Sequence, residues 1–203
     1  MNEPISHPLR RAREVFDEHV SVAEATRSTL LPAITGLAAD LAAAISTGGK
    51  LVVFGNGGSA ADAQHFAAEL TGHFVAQRGP LAAIALTTDT SALTAIANDY
   101  GHDQVFARQA TALCARGDVV VGISTSGNAE SVIKGVEAAK ARGALTYGFT
   151  GGTGGRLREV ADRLILVPSA ETARIQEMHI TIIHIVCLLL DDLIATPPNG
   201  EGS

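Results

Sequence analysis

Tryptophan is missing from this chain, and aromatic residues of every kind make up only 4% of it. Such a sequence has few rings to spare for a base-stacking surface, so a nucleic-acid platform is disfavoured. Cysteine is as scarce. Cys114 and Cys187 fall in segments that read as buried helix, and their spacing builds neither a disulfide framework nor a Cys-rich metal site. A reducing compartment is therefore expected. No apolar core of a signal peptide occurs between Met1 and Val20, where charges are scattered throughout. The longest uninterrupted apolar run in the last helical segment, Ile185 to Leu190, is too short to cross a bilayer. Basic residues are outnumbered, 15 Lys and Arg against 21 Asp and Glu, giving a formal charge of −6. That balance disfavours non-specific binding to nucleic acid or anionic membrane, but leaves room for a local phosphate pocket. A soluble cytoplasmic protein is the expectation.

What the chain does have is alanine, glycine and short apolar runs. At 203 residues it fits one domain with a substantial core. Five runs read as strands: Leu51–Phe54, Ala82–Thr87, Val119–Ile123, Leu145–Phe149 and Leu164–Val167. They are almost wholly apolar rather than alternating, as strands covered on both faces of a parallel sheet should be. Helical periodicity fills the intervals at 60–76, 91–97, 104–115, 129–142 and 155–161. Two helices, 8–26 and 29–45, precede the first strand, and a long one, 172–194, follows the last. This alternation predicts an open α/β sheet with right-handed crossovers. One domain is expected over residues 1–195, with 196–203 as a flexible tail of turn composition. The last helix is apolar on more than one face, which points to packing on the sheet and on another subunit.

Two polar loops stand at predicted strand ends. Gly55-Asn56-Gly57-Gly58-Ser59 leads from a buried strand into a helix, with Ser59 placed to cap it. Ligands of open sheets bind at such ends, and a helix N-terminus favours anions. The dinucleotide fingerprint is absent, because the G-x-G-x-x-G spacing is not met. Ile123-Ser124-Thr125-Ser126-Gly127-Asn128 repeats the arrangement with three consecutive hydroxyls, suited to a phosphate monoester. No Walker lysine follows, which disfavours a nucleoside triphosphate. Either loop, taken alone, could be a glycine turn or a hydroxyl-rich cap.

His65 and Glu69 are four residues apart on the helix after the first loop, so they share a side. On the last helix Arg174-Ile175-Gln176-Glu177-Met178-His179-Ile180-Thr181-Ile182-Ile183-His184 offers further polar groups. At 100° per residue Glu177 and His184 differ by about 20°, whereas Gln176 and His184 differ by about 80°. Spacing alone thus pairs His184 with Glu177, and places His184 deep among isoleucines. Asn98 and Asp99, in Ala97-Asn98-Asp99-Tyr100-Gly101, could cap a turn or bind sugar hydroxyls.

Taken together, Gly55 to Gly72, Thr94 to Gly101, Ile123 to Asn128 and Arg174 to His184 resemble the sugar isomerase (SIS) domain of phosphoheptose isomerases. The resemblance spans about residues 10–195. It implies a flavodoxin-like three-layer sandwich with a five-stranded parallel sheet, assembled as a homotetramer with sites at subunit interfaces. It implies an aldose–ketose isomerase acting on sedoheptulose 7-phosphate through an enediol, with Glu69 as base and His184 as acid. His65, Glu69, Gln176 and His184 would bind one Zn2+ per subunit, so the resemblance favours Gln176 over Glu177. Asn56, Gly57, Gly58, Asn98 and Asp99 would contact the sugar, and Ser59, Ser124, Thr125 and Ser126 the phosphate. Glu69 and Gln176 would also touch substrate. The chain departs from the family at Ala129, where another serine is usual, at Ala173, where an acid is often found, and at His73, where some relatives have arginine.

Two alternatives stand beside that reading. One is a non-catalytic SIS protein that binds a replication initiator, which has no need of Glu69 and His184. The other is an isomerase for a different sugar phosphate or heptose epimer.

Overall fold

The computed structural model describes residues 7–195. In chain order these form α1 (His7–Ser46), β1 (Leu51–Gly55), α2 (Gly58–Thr71), β2 (Ala83–Ala85), α3 (Thr90–Tyr100), α4 (Val105–Leu113), β3 (Val119–Ile123), α5 (Glu130–Ala141), β4 (Leu145–Gly151), α6 (Leu157–Val160), β5 (Arg163–Val167) and α7 (Thr172–Ala195). The five strands are parallel and lie in the order β2-β1-β3-β4-β5. This is the flavodoxin-like order, as expected. Residues 196–203, read above as a tail, lie outside the described residues.

Alternate residues of each central strand serve opposite layers. Leu51, Val53, Val119, Val121 and Ile123 pack with α1, α2 and α7, while Val52, Phe54 and Val120 pack with α4, α5 and α6. Strands covered on both sides need no polar face, which is why the runs do not alternate. The chain moves one way along the sheet from β1 to β2 and the other way from β3 to β5. Its connecting helices change face accordingly, as crossovers of a single hand require.

The two expected N-terminal helices are one helix, α1. Ser28, in the expected gap, and Thr29, the expected start of the second helix, instead bond back to the Ala25 carbonyl at 2.9 and 2.8 Å. Pro32 stands inside the helix, and the Thr35 hydroxyl donates to its carbonyl at 3.1 Å. By length and composition α1 could cross a bilayer, a property the apolar run on the last helix does not address. In the fold its residues Ile34, Leu37, Ala38 and Leu41 are buried in the core, whereas Leu9, Phe16 and Val20 near its start are exposed. Helix α7 buries Ile175, Met178, Ile182, Ile183, Val186 and Leu190, and leaves Leu188, Leu193 and Ile194 exposed on another face. Its apolar surplus is thus real on two sides.

Candidate active site

Parallel pairing sets Gly55 of β1 opposite Ile123 of β3, so the two polar loops leave the sheet side by side. Strand order reverses at this pair, and the crevice at such a switch point is where open α/β sheets take ligands. A side chain at position 55 has no room, because a Cβ would meet Ser59 Cβ at 2.8 Å and the Ile123 carbonyl oxygen at 2.9 Å. Helix α2 starts at Gly58 behind Gly57, whose φ is 57°, and has no side-chain cap. Ser59 is therefore not the cap that the sequence suggested. It is a buried residue of the first turn, since glycine already supplies the bend.

In the second loop the Ser124 and Ser126 hydroxyl oxygens accept from the Ala129 and Asn128 amides at 3.4 and 3.2 Å. With one lone pair of each hydroxyl taken by an amide, its proton is still there to be donated to an anion. Thr125 ties the loop to β4, its carbonyl accepting from Gly151 N at 3.1 Å. Gly127 has a φ of 67°, and a Cβ there would fall 2.0 Å from the Gly154 carbonyl oxygen. The Asn56 amide nitrogen donates to Ser131 Oγ at 2.9 Å, locking one loop to the first turn of α5. Ser131 lies two residues after Ala129, and no motif in the sequence singles it out.

Helix α2 brings His65 and Glu69 to one side, with His65 Nε2 3.0 Å from Glu69 Oε1. Helix α7 brings His184, whose Nε2 lies 3.0 Å from the same His65 nitrogen. The Phe74 ring stacks on His184 at 5.4 Å between centroids. His184 is therefore half-buried at the edge of α7 facing α2, not deep among isoleucines as its neighbours in sequence suggested. The fully buried histidine is His179, one helix face away; its Nε2 reaches the Thr150 carbonyl at 3.4 Å.

Glu177 and Gln176 differ in what each meets. Glu177 accepts from His19 Nδ1 of α1 at 2.7 Å and from Arg174, so it is turned away from His184. Gln176 leans on the start of α2, with its Nε2 2.6 Å from where a Gly58 Cβ would stand. Neither is hydrogen-bonded to His184. Among the described residues no three His, Cys, Asp or Glu side chains close into a metal-binding group. His65, Glu69 and His184 stand instead in a row with His65 at its centre. Imidazole nitrogen and carboxylate oxygen are nevertheless the donors zinc takes, and tetrahedral zinc would space them by roughly 3.3 Å. The two 3.0 Å separations are close to that spacing, but the Glu69 and His184 ends do not close on each other, so the donor set suits the ion in kind.

A cavity of about 290 Å³ opens between the first loop, α3 and α4, lined by Asn56, Gly57, Thr87, Thr94 and His102 among others. Thr87 Oγ1 is buried there without a hydrogen-bond partner, and no motif points to it. Asn98 and Asp99 lie just beyond this wall on α3. Both are exposed, with Asn98 Nδ2 donating to Asp99 Oδ1 at 2.7 Å. The thiols of Cys114 and Cys187 are buried, and burial pushes them up to about 11 and about 12, so neither is a nucleophile at neutral pH.

The pattern of the SIS domain matches residues 14–151. A probable phosphoheptose isomerase of Thermoplasma acidophilum is 62% identical over 159 residues, covering 78% of this chain and 87% of its own. The phosphoheptose isomerase of Geobacter metallireducens is 54% identical over 191 residues, covering 94% of this chain and 97% of its own. In three dimensions the phosphoheptose isomerase of Neisseria gonorrhoeae superposes with a TM-score of 0.86 at 46% identity. That alignment spans 90% of this chain and 98% of that one.

Proposed function

The chain belongs to the SIS-domain family as one of its phosphoheptose isomerases, and we propose that it interconverts sedoheptulose 7-phosphate and D-glycero-D-manno-heptose 7-phosphate through an enediol. The single observation that carries this reading is the row Glu69–His65–His184 beside the two loops at the β1/β3 switch point. His65 lies six residues past Ser59, about 9 Å along α2. That distance suits a phosphate held at the helix start and a reacting carbon held at the row.

In the proposed chemistry the Glu69 carboxylate removes a proton from C1 of the ketose. The electron pair forms the C1–C2 double bond, and the C2 carbonyl oxygen takes a proton from His184. Returning the carbon-bound proton to C2, with loss of the O1 proton to the imidazole, gives the aldose. A carboxylate and an imidazole are the two groups suited to these transfers near neutral pH. The hydroxyls of Ser59, Ser124, Thr125 and Ser126 would hold the phosphate, and Asn56, Gly57, Gly58, Asn98, Asp99 and Gln176 the sugar.

His65, Glu69, Gln176 and His184 would hold a zinc ion, which when bound supplies Lewis-acid stabilisation of developing negative charge on oxygen. The assembly would be a homotetramer with sites at its interfaces; the exposed apolar residues Leu9, Phe16 and Val20 of α1 and Leu188, Leu193 and Ile194 of α7 support self-association as such. A cytoplasmic location agrees with two unpaired thiols. The initiator-binding alternative has nothing here in its favour, since a binding module gains nothing from the row.

Incubation with sedoheptulose 7-phosphate in deuterated water, followed by NMR, tests the reading. Aldose carrying deuterium at C2 is expected. Folded protein that yields neither aldose nor exchanged ketose would sink it.

A further inference from the structure

We propose that Arg78 and Asp191 act as positioning residues, clamping the end of α2 to α7 so that Glu69 and His184 stay in register. The inference rests on the acid–base reading of that pair. Asp191 follows the apolar run Cys187-Leu188-Leu189-Leu190 on α7, and its side chain is only 2% exposed. A carboxylate so placed is tolerable only with full pairing. Three donors meet it: Arg78 Nε at 2.6 Å, Val75 N at 3.1 Å and Ala76 N at 3.0 Å.

Arg78 spends its other N–H groups on carbonyls. Nη2 donates to the Glu69 carbonyl at 3.0 Å, and Nη1 to those of Leu70 at 3.0 Å and Gly79 at 3.2 Å. Glu69 and Leu70 belong to the last turn of α2, where carbonyls lack partners within the helix. One guanidinium therefore joins the peptide of Glu69 to a carboxylate on α7. Asp191 lies seven residues beyond His184, about two turns along nearly the same helix face.

The segment between α2 and β2 completes the device. Pinned at Val75 and Ala76, it carries Phe74 onto the His184 ring, 5.4 Å away and inclined by 26°. The end of α2, this segment and α7 thus form one hydrogen-bonded unit, with the acid–base row on its surface. Lysine could keep the charge at position 78 but not the planar fork that serves four oxygen atoms at once.

The test compares Arg78→Lys, Asp191→Asn and Phe74→Leu with the unaltered protein on sedoheptulose 7-phosphate, each paired with a crystal structure. Arg78→Lys and Asp191→Asn should lower kcat by about 10- to 100-fold while KM stays within about threefold, as for outer residues that orient ligating and reacting groups. Their structures should have Phe74 moved off His184 and the His184–His65–Glu69 row opened. A folded clamp variant with normal kcat, or one whose row is unmoved, overturns the proposal. Should both clamp variants fail to fold, Phe74→Leu decides, because it leaves every clamp hydrogen bond in place. It should lose kcat several-fold, and normal turnover there would count against the device. If the unaltered protein does not act on the substrate, the isomerase reading fails, and the variant structures alone judge the clamp.

Discussion

His184 Nε2 meets His65 Nε2 at 3.0 Å, although 119 residues separate them in sequence. Two ring nitrogens facing one another either share a proton or turn both lone pairs toward a cation. Both options serve the proposed chemistry, and both tie α7 to α2 through groups that must keep their geometry.

Replacing either end of the acid–base row should stop turnover without unfolding the chain. Glu69→Gln and His184→Gln are each expected to lower kcat by about 10²–10⁴-fold, the usual worth of a positioned acid or base. Rates on sedoheptulose 7-phosphate by NMR check this, alongside circular dichroism for folding. Near-normal rates in one variant would remove that residue from its role.

Gly58→Ala should separate stability from activity. A Cβ at this position meets Gln176 Nε2 at 2.6 Å and Cδ at 3.1 Å, the movable end of a side chain and not backbone. Gly58 is not among the positive-φ glycines, and at such a position alanine stabilises by roughly 0.4–1 kcal/mol by restricting the unfolded chain. The melting temperature should hold or rise while kcat/KM falls, because the Gln176 amide is pushed from its seat. Unchanged kcat/KM would mean that Gln176 has no part in the site.

The double variant Ser124→Ala, Ser126→Ala should raise KM. Each hydrogen bond to a charged group is worth about 1.5–3 kcal/mol, so a rise of tenfold or more is expected. With sedoheptulose lacking the phosphate, variant and unaltered protein should be equally poor. A persisting difference on that substrate would point to a structural defect in the loop.

Acid should weaken the fold through His179 in a defined window. Burial depresses its imidazole from 6.5 to about 4, only partly offset by the Thr150 carbonyl. As pH falls, the unfolded chain takes the proton first. The contribution is therefore complete above pH 6.5 and lost progressively on the way down to about 4. At 1.36 kcal/mol per pH unit the loss approaches roughly 3 kcal/mol. Urea midpoints measured across this range should fall for the unaltered protein and fall less for His179→Gln. Parallel curves would show that His179 is not the titrating group. Asp191, held below the ordinary carboxylate range by the Val75 and Ala76 amides and Arg78 against the opposing effect of burial, acts only at lower pH.

Zinc should be found by elemental analysis of protein purified without chelators, at one equivalent per chain. Chelation should lower the melting temperature, and His65→Ala should abolish both the metal and the shift. Protein that is metal-free as isolated and unshifted by added Zn2+ would exclude the ion from the site.

Much of this was legible from residue order because it depends on local periodicity. The strands were visible as non-alternating apolar runs, since a sheet covered on both faces needs no polar side. His65 and Glu69 were visible as a pair, since one helical turn fixes their common side. The break between two N-terminal helices was misread, because Ser28 and Thr29 satisfy their hydroxyls within a continuous helix. Ser59 was misread as a cap, because Gly57 already provides the bend. Asp191 had a usable cue, an acid at the end of an apolar run, but its partner is 113 residues away.

The sequence by itself determined the layers, the strand ends that carry the two loops, and the residue types able to move protons, because these follow from short-range spacing. Only the tertiary structure decided that His184 turns to His65, that Glu177 turns to His19, and that Arg78 joins α2 to α7. Each of those outcomes depends on the packing of helices distant in sequence. Periodicity fixes the side of its own helix on which a residue lies, but not what faces it.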